Sequence, residues 1–91
     1  MNDETISNKI HIRVQQRSGR KHITTVEGLE EDIDVRRMLK AFKKLFNCNG
    51  NIVSDEYGDV ISLQGDQREG IKAFLIKEEI CEEDRIIVHG A

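Results

Sequence analysis

The sequence predicts an α+β fold, a two-layer sandwich with a five-stranded mixed sheet and two helices packed on one face, in the order ββαββαβ. Three observations predict it. Apolar residues alternate at Ile10, Ile12 and Val14, the period of a half-buried strand. They recur at helical spacing from Val35 to Phe46. Turn residues divide the rest into short segments. A chain of 91 residues makes one domain, because a smaller unit struggles to bury enough surface.

Residues 1–9 are polar and are expected to form a flexible N-terminal tail, with a single domain over 10–91. In the first strand His11, Arg13 and Gln15 face away from Ile10, Ile12 and Val14. Arg17-Ser18-Gly19-Arg20-Lys21 reads as a turn. His22 to Val26, rich in β-branched residues, reads as the returning strand. Glu27 to Asp34 is acidic and loop-like. The helix from Val35 to Phe46 places Val35, Met38, Leu39, Phe42, Leu45 and Phe46 on its apolar side. Asp32 or Asp34 can cap its start, and Asn49-Gly50 can close its end in a left-handed conformation.

Asn51–Ser54 and Asp59–Gln64 form a second predicted hairpin, joined by the turn Asp55-Glu56-Tyr57-Gly58. Asp66 to Glu69 resembles a capping box. It would open a second helix to about Glu79, with Ile71, Phe74 and Leu75 inward, although Gly70 inside it costs about 1 kcal/mol relative to Ala. Arg85 to His89 is the last strand. The sheet face away from the helices is expected to be largely polar, since antiparallel sheets tolerate solvent on one side.

Composition excludes several classes. Hydrophobic residues are 37% and charged residues 34%, as in a charged globular domain. No run of about 18 apolar residues exists for a transmembrane helix, and the polar start has no signal-peptide core. No membrane partner is expected. Cys48 and Cys81 lack a partner motif, which argues against a disulfide scaffold or a Cys-based zinc site and points to a reducing compartment. His11, His22 and His89 lie in or beside separate strands with no nucleophile or acid at a telling spacing. There is no nucleophile elbow, phosphate loop or dinucleotide fingerprint. Carboxylates run as Glu78-Glu79 and Glu82-Glu83-Asp84, the pattern of a solvated face. The expected protein is not an enzyme and takes no cofactor or metal. Strand aromatics for base stacking are also absent.

Charge is divided along the chain. Residues 1–53 carry ten Lys+Arg against seven Asp+Glu, and residues 54–91 carry four against ten. Two basic features stand out. One is the hairpin tip, Arg17, Arg20 and Lys21. The other is Arg36, Arg37, Lys40, Lys43 and Lys44, which fall within a stripe of about 120° on the first helix at 100° per residue. Most exposed helix faces mix signs to gain i,i+4 pairs. Here no acid is interleaved, so an anionic partner is favoured. RNA phosphate, an acidic protein and a plain solvated face stay open at this level.

The residues themselves carry a resemblance. Ile10-His11-Ile12-Arg13, Gln15-Gln16-Arg17, Gly19-Arg20-Lys21, Thr24-Thr25-Val26 and Gly28 resemble the opening of the eukaryotic translation initiation factor 1 family. Lys40 to Lys44, Cys48-Asn49-Gly50, Tyr57-Gly58, Leu63 to Arg68 and Val88-His89-Gly90 continue it over residues 10 to 91. Leu45 departs from it, at a position where relatives often carry Lys.

The resemblance implies a monomeric cytoplasmic factor that binds rRNA of the small ribosomal subunit near the P site. It would promote scanning, oppose full seating of initiator tRNA and thereby enforce start-codon selection beside other initiation factors. It assigns rRNA contacts to Arg17, Arg20, Lys21, Arg36, Arg37, Lys40, Lys43 and Lys44, and a tRNA-facing loop to Asp55, Glu56, Tyr57 and Gly58. The alternatives are a related subunit-binding domain of the density-regulated type, a small hydrolase on a similar sandwich, and a protein–protein module using the acidic half.

Overall fold

The computed structural model describes residues 9–56 and 58–90. The expected tail lies outside the described residues apart from Lys9. Strand β1 is Ile10–Gln16 and β2 is His22–Glu27. Helix α1 is Val35–Phe46, followed by β3, Gly50–Asp55, and β4, Gly58–Gln64. Helix α2 is Arg68–Lys77, and a single 3-10 turn leads into β5, Ile86–Val88. The sheet order is β3-β4-β2-β1-β5, antiparallel throughout except that β5 lies parallel to β1. This is the predicted mixed five-stranded sheet.

The core forms where the two periodicities meet. Ile10, Ile12, Val26, Ile61 and Leu63 from the sheet pack with Met38 and Phe42 of α1 and Ile71 and Leu75 of α2. Phe42 is fully buried and touches the rings of Phe46 and Phe74 at centroid distances of 5.6 and 5.0 Å, joining the two helices. Thr24 is the buried polar residue of this layer. Its hydroxyl donates to the Gly65 carbonyl at 2.6 Å and accepts from the Gln67 amide at 3.0 Å, so its burial leaves no unmet hydrogen bond. That pair pins the β4–α2 corner to β2.

Several local expectations change. Asp34 caps α1, accepting from the Arg37 amide at 3.3 Å. The left-handed residue that ends the helix is Asn47, at φ 52°, while Gly50 already belongs to β3. Leu45 does not join the apolar side: it is 60% exposed, on the flank between that side and the basic stripe. Asp66 forms no capping box. Its carboxylate is held by the Arg68 guanidinium in two 2.8 Å contacts, and Gln67 occupies the cap position with its side chain turned back to the Gln64 carbonyl rather than capping the helix.

Gly70 has a steric reason. A Cβ there would stand 2.5 Å from the Phe46 ring, so glycine lets α2 approach α1. The open sheet face bears His11, Arg13, Glu27 and Ser62, but Ile23 and Val53 also lie on it, so it is only partly polar. Among the described residues no helix is long and apolar enough to cross a membrane.

Candidate nucleic-acid interface

The β1–β2 hairpin presents the first cationic group. The Arg17 amide donates to the Lys21 carbonyl at 2.7 Å, the Lys21 amide donates to the Ser18 carbonyl at 3.1 Å, and the Gln16 side-chain amide donates to the Gly19 carbonyl. These three bonds close the turn on itself. Arg17, Arg20 and Lys21 are all exposed.

Helix α1 presents the second group. Arg36, Arg37, Lys40, Lys43 and Lys44 are all exposed, while Met38 and Phe42 anchor the opposite side. Arg36, Lys40, Lys43 and Lys44 line a groove floored by Leu39 and Cys48. Lys43 and Lys44 sit in the last turn, where the helix dipole favours cations. Arg36 and Arg37 sit in the first turn, where the dipole disfavours them. Helix stability therefore does not explain that pair of charges. None of the eight cations forms an ion pair with a described residue. Burial raises the Cys48 thiol above its ordinary pKa, against a smaller opposite pull from Lys43, so the groove holds no thiolate nucleophile.

Strand register relates the groups. Ile23 faces Gln64 and Gly50 faces Leu63, so the end of the sheet with the basic tip also receives the C-terminal turn of α1. The β3–β4 turn lies at the other end, where pairing extends to Asp55 opposite Gly58. Only two residues separate that pair, a tighter connection than the four-residue link expected. Gly58 has φ 128°, a conformation that side chains rarely adopt. Because β2 pairs only Ile61–Gln64 of β4, this hairpin projects beyond the sheet. Glu56 and Gly58 are exposed, whereas Tyr57 and the Asp55 side chain lie outside the described residues. The structure thus groups the tip with the last turn of α1 and separates both from the acidic turn.

Sequence spacing gave no sign of the ties behind this arrangement. Arg68 holds Asp66 and also donates to the His89 carbonyl at 3.2 Å, linking the start of α2 to the chain's end. The Gly65 amide donates to the His22 carbonyl at 2.8 Å, fastening the same corner to the base of the basic hairpin.

A sheet of this order backed by two helices defines a small α+β domain with a cationic helix and tip, and comparison with known proteins gives its family. Residues 6–81 match the family model described as translation initiation factor SUI1. The chain belongs to that family. It is 54% identical over 82 residues to eukaryotic translation initiation factor 1 of Mus musculus, covering 89% of this chain and 73% of the relative. It is 53% identical over 90 residues to the factor eIF-1 of Saccharomyces cerevisiae, covering 97% and 83%. The solved C-terminal domain of human eIF2D has the same fold, with TM-score 0.78 at 20% identity. That match covers 86% of this chain and 41% of the solved one. A role as a translation initiation factor follows from the family.

Proposed function

We propose that this chain binds the small ribosomal subunit near the P site through rRNA phosphates, promotes scanning and opposes full seating of initiator tRNA until the start codon is paired. It acts as a cytoplasmic monomer among other initiation factors. The observation that carries this reading is the set of eight exposed cations, Arg17, Arg20, Lys21, Arg36, Arg37, Lys40, Lys43 and Lys44, none paired with a described acid. Such a set can meet phosphates without breaking ion pairs to described acids and gains by releasing counterions from an anionic backbone. The acidic turn at Asp55 and Glu56, at the opposite end of the sheet, would stand beside the tRNA and repel its phosphates.

Binding to isolated small subunits at several salt concentrations tests the phosphate contacts. Neutralising about five to eight phosphates gives a log–log slope of about −3.5 to −7 between single-strand and duplex limits. A slope near zero would reject phosphate-dominated binding and favour a protein partner.

A further inference from the structure

The open face of the sheet carries a histidine pair that the basic interface does not use. His11 comes from β1, and His89 follows β5. Nδ1 of His11 and Nε2 of His89 are 3.0 Å apart, and the ring planes are inclined by 23° at a centroid distance of 5.3 Å, so the rings meet edge to edge. Both residues are half-buried. The pair sits where the sheet has least backbone to hold it. Strand β5 has three residues and, among the described residues, lies at an edge and pairs only with Ile10, His11 and Ile12 of β1. One further bond continues the ladder, from the His89 amide to the Ile12 carbonyl at 2.8 Å.

A hydrogen bond between two imidazoles needs one N–H and one lone pair. The neutral and singly protonated pairs both supply them. The doubly protonated pair does not, because N–H then faces N–H and two positive rings share one contact. The charged groups around the pair sharpen this. Arg13 of β1 is a neighbouring cation, itself held by Glu27 of β2 at 2.8 Å. From α2, Arg68 reaches the His89 carbonyl. Glu27 is the nearby acid acting in the other direction. Desolvation, then Arg13 and His11, lower the His89 pKa below its ordinary value, and Glu27 opposes them.

We propose that His11 and His89 form a proton-operated latch, in which the hydrogen bond between their rings fastens β5 and the chain's end to β1 and uptake of a second proton releases them. Release bares the outer edge of β1 and loosens Ile86, which packs against the core. The sign follows from linkage. The latched form disfavours the second proton and the released form accepts it near the ordinary histidine value. The latch is therefore secure above about pH 6.5 and weakens as pH falls below it.

The test is amide hydrogen exchange on the full chain by NMR, in chelating buffer, from about pH 7.5 to about 5, a range spanning ordinary histidine titration. Protection factors of Val88 and His89 should fall about tenfold per pH unit below about 6.5, as expected when opening takes up one proton. Those of Ile61 and Leu63 in β4 should stay level. The variants His11→Gln and His89→Gln should flatten the profile. A level wild-type profile, an unchanged slope in both variants, or a fall shared with β4 would overturn the latch. If neither variant folds, imidazole nitrogen shifts of the wild type decide. Two steps, the lower tracked by the β5 amides, support it. One step at the ordinary value with unmoved amides rejects it.

Discussion

Thr24 shows how much one hydroxyl can hold. It is fully buried, and its oxygen serves both the Gly65 carbonyl and the Gln67 amide. Valine would fill the same space but leave both half-buried groups without this partner. A net hydrogen bond is worth about 0.5–1.5 kcal/mol, so losing both should lower stability by about 1–3 kcal/mol in chemical denaturation of Thr24→Val. A contrast at the same scale separates packing from binding. Phe42→Ala should cost about 3–5 kcal/mol as a core truncation. Arg36→Ala, Lys40→Ala and Lys43→Ala should each stay within about 0.5 kcal/mol, while each weakens subunit binding and makes the salt slope shallower by about 0.7–0.9. The opposite order in either measurement would mean that α1 presents its other side.

At the level of elements, α1 was the most legible part of the chain. Its twelve residues carry a strong 3.6-residue period with an acidic cap, and both bounds match expectation. Leu45 misled because it is apolar and lies close in angle to the buried side, yet no described residue covers that flank. Helix α2 was harder to read because Gly70 argues against a helix locally, and its justification is a ring on the other helix, which no local spacing reveals. Gly70→Ala should therefore destabilise the fold despite alanine's higher helix propensity, and a rise in Tm would refute the steric reading. The Asp66–Arg68 pair was likewise hidden by a capping pattern. The guanidinium holds the Asp66 carboxyl below its ordinary pKa, chiefly by hydrogen bonding. A depressed carboxylate stabilises the fold above its unfolded pKa, near 3.9, and the contribution disappears as pH falls through the folded value. Asp66→Asn should reduce the acid sensitivity of unfolding below about pH 4, by a small amount because the pair is partly exposed.

For the molecule as a whole, the eight cations could be named from sequence because charge belongs to single residues. The helical stripe was legible too, but the placement of the tip beside the last turn of α1 was not, because it depends on strand register. The same limit hid His11 and His89, which are 78 positions apart. Register also separates the acidic turn from the basic tip, and this separation supports a prediction about codon choice. If the proposed placement beside the tRNA holds, replacing both Asp55 and Glu56 with Arg should turn repulsion of its phosphates into attraction. Each charge contributes about 1 kcal/mol at a few ångströms in a water-like dielectric. Initiation at near-cognate codons in a reconstituted scanning assay should then rise several-fold, with binding to tRNA-free subunits almost unchanged. Unchanged codon discrimination would rule out the repulsive role.

The polarity of the sheet has a further consequence, for motion before contact. Ile10 pairs with Ile86, so the acid-rich stretch from Glu78 to Asp84 lies toward the end occupied by the β3–β4 turn, away from Arg17, Arg20 and Lys21. A body charged in this way experiences a torque in the field of a polyanion. It turns its cationic pole forward while still separated from the surface by about a Debye length, some 8 Å in physiological salt. A net charge of −3 would make it drift away from RNA if it could not rotate. Because it can, the repelled pole would trail in the proposed encounter with rRNA, and the approach would be aligned before the first phosphate contact.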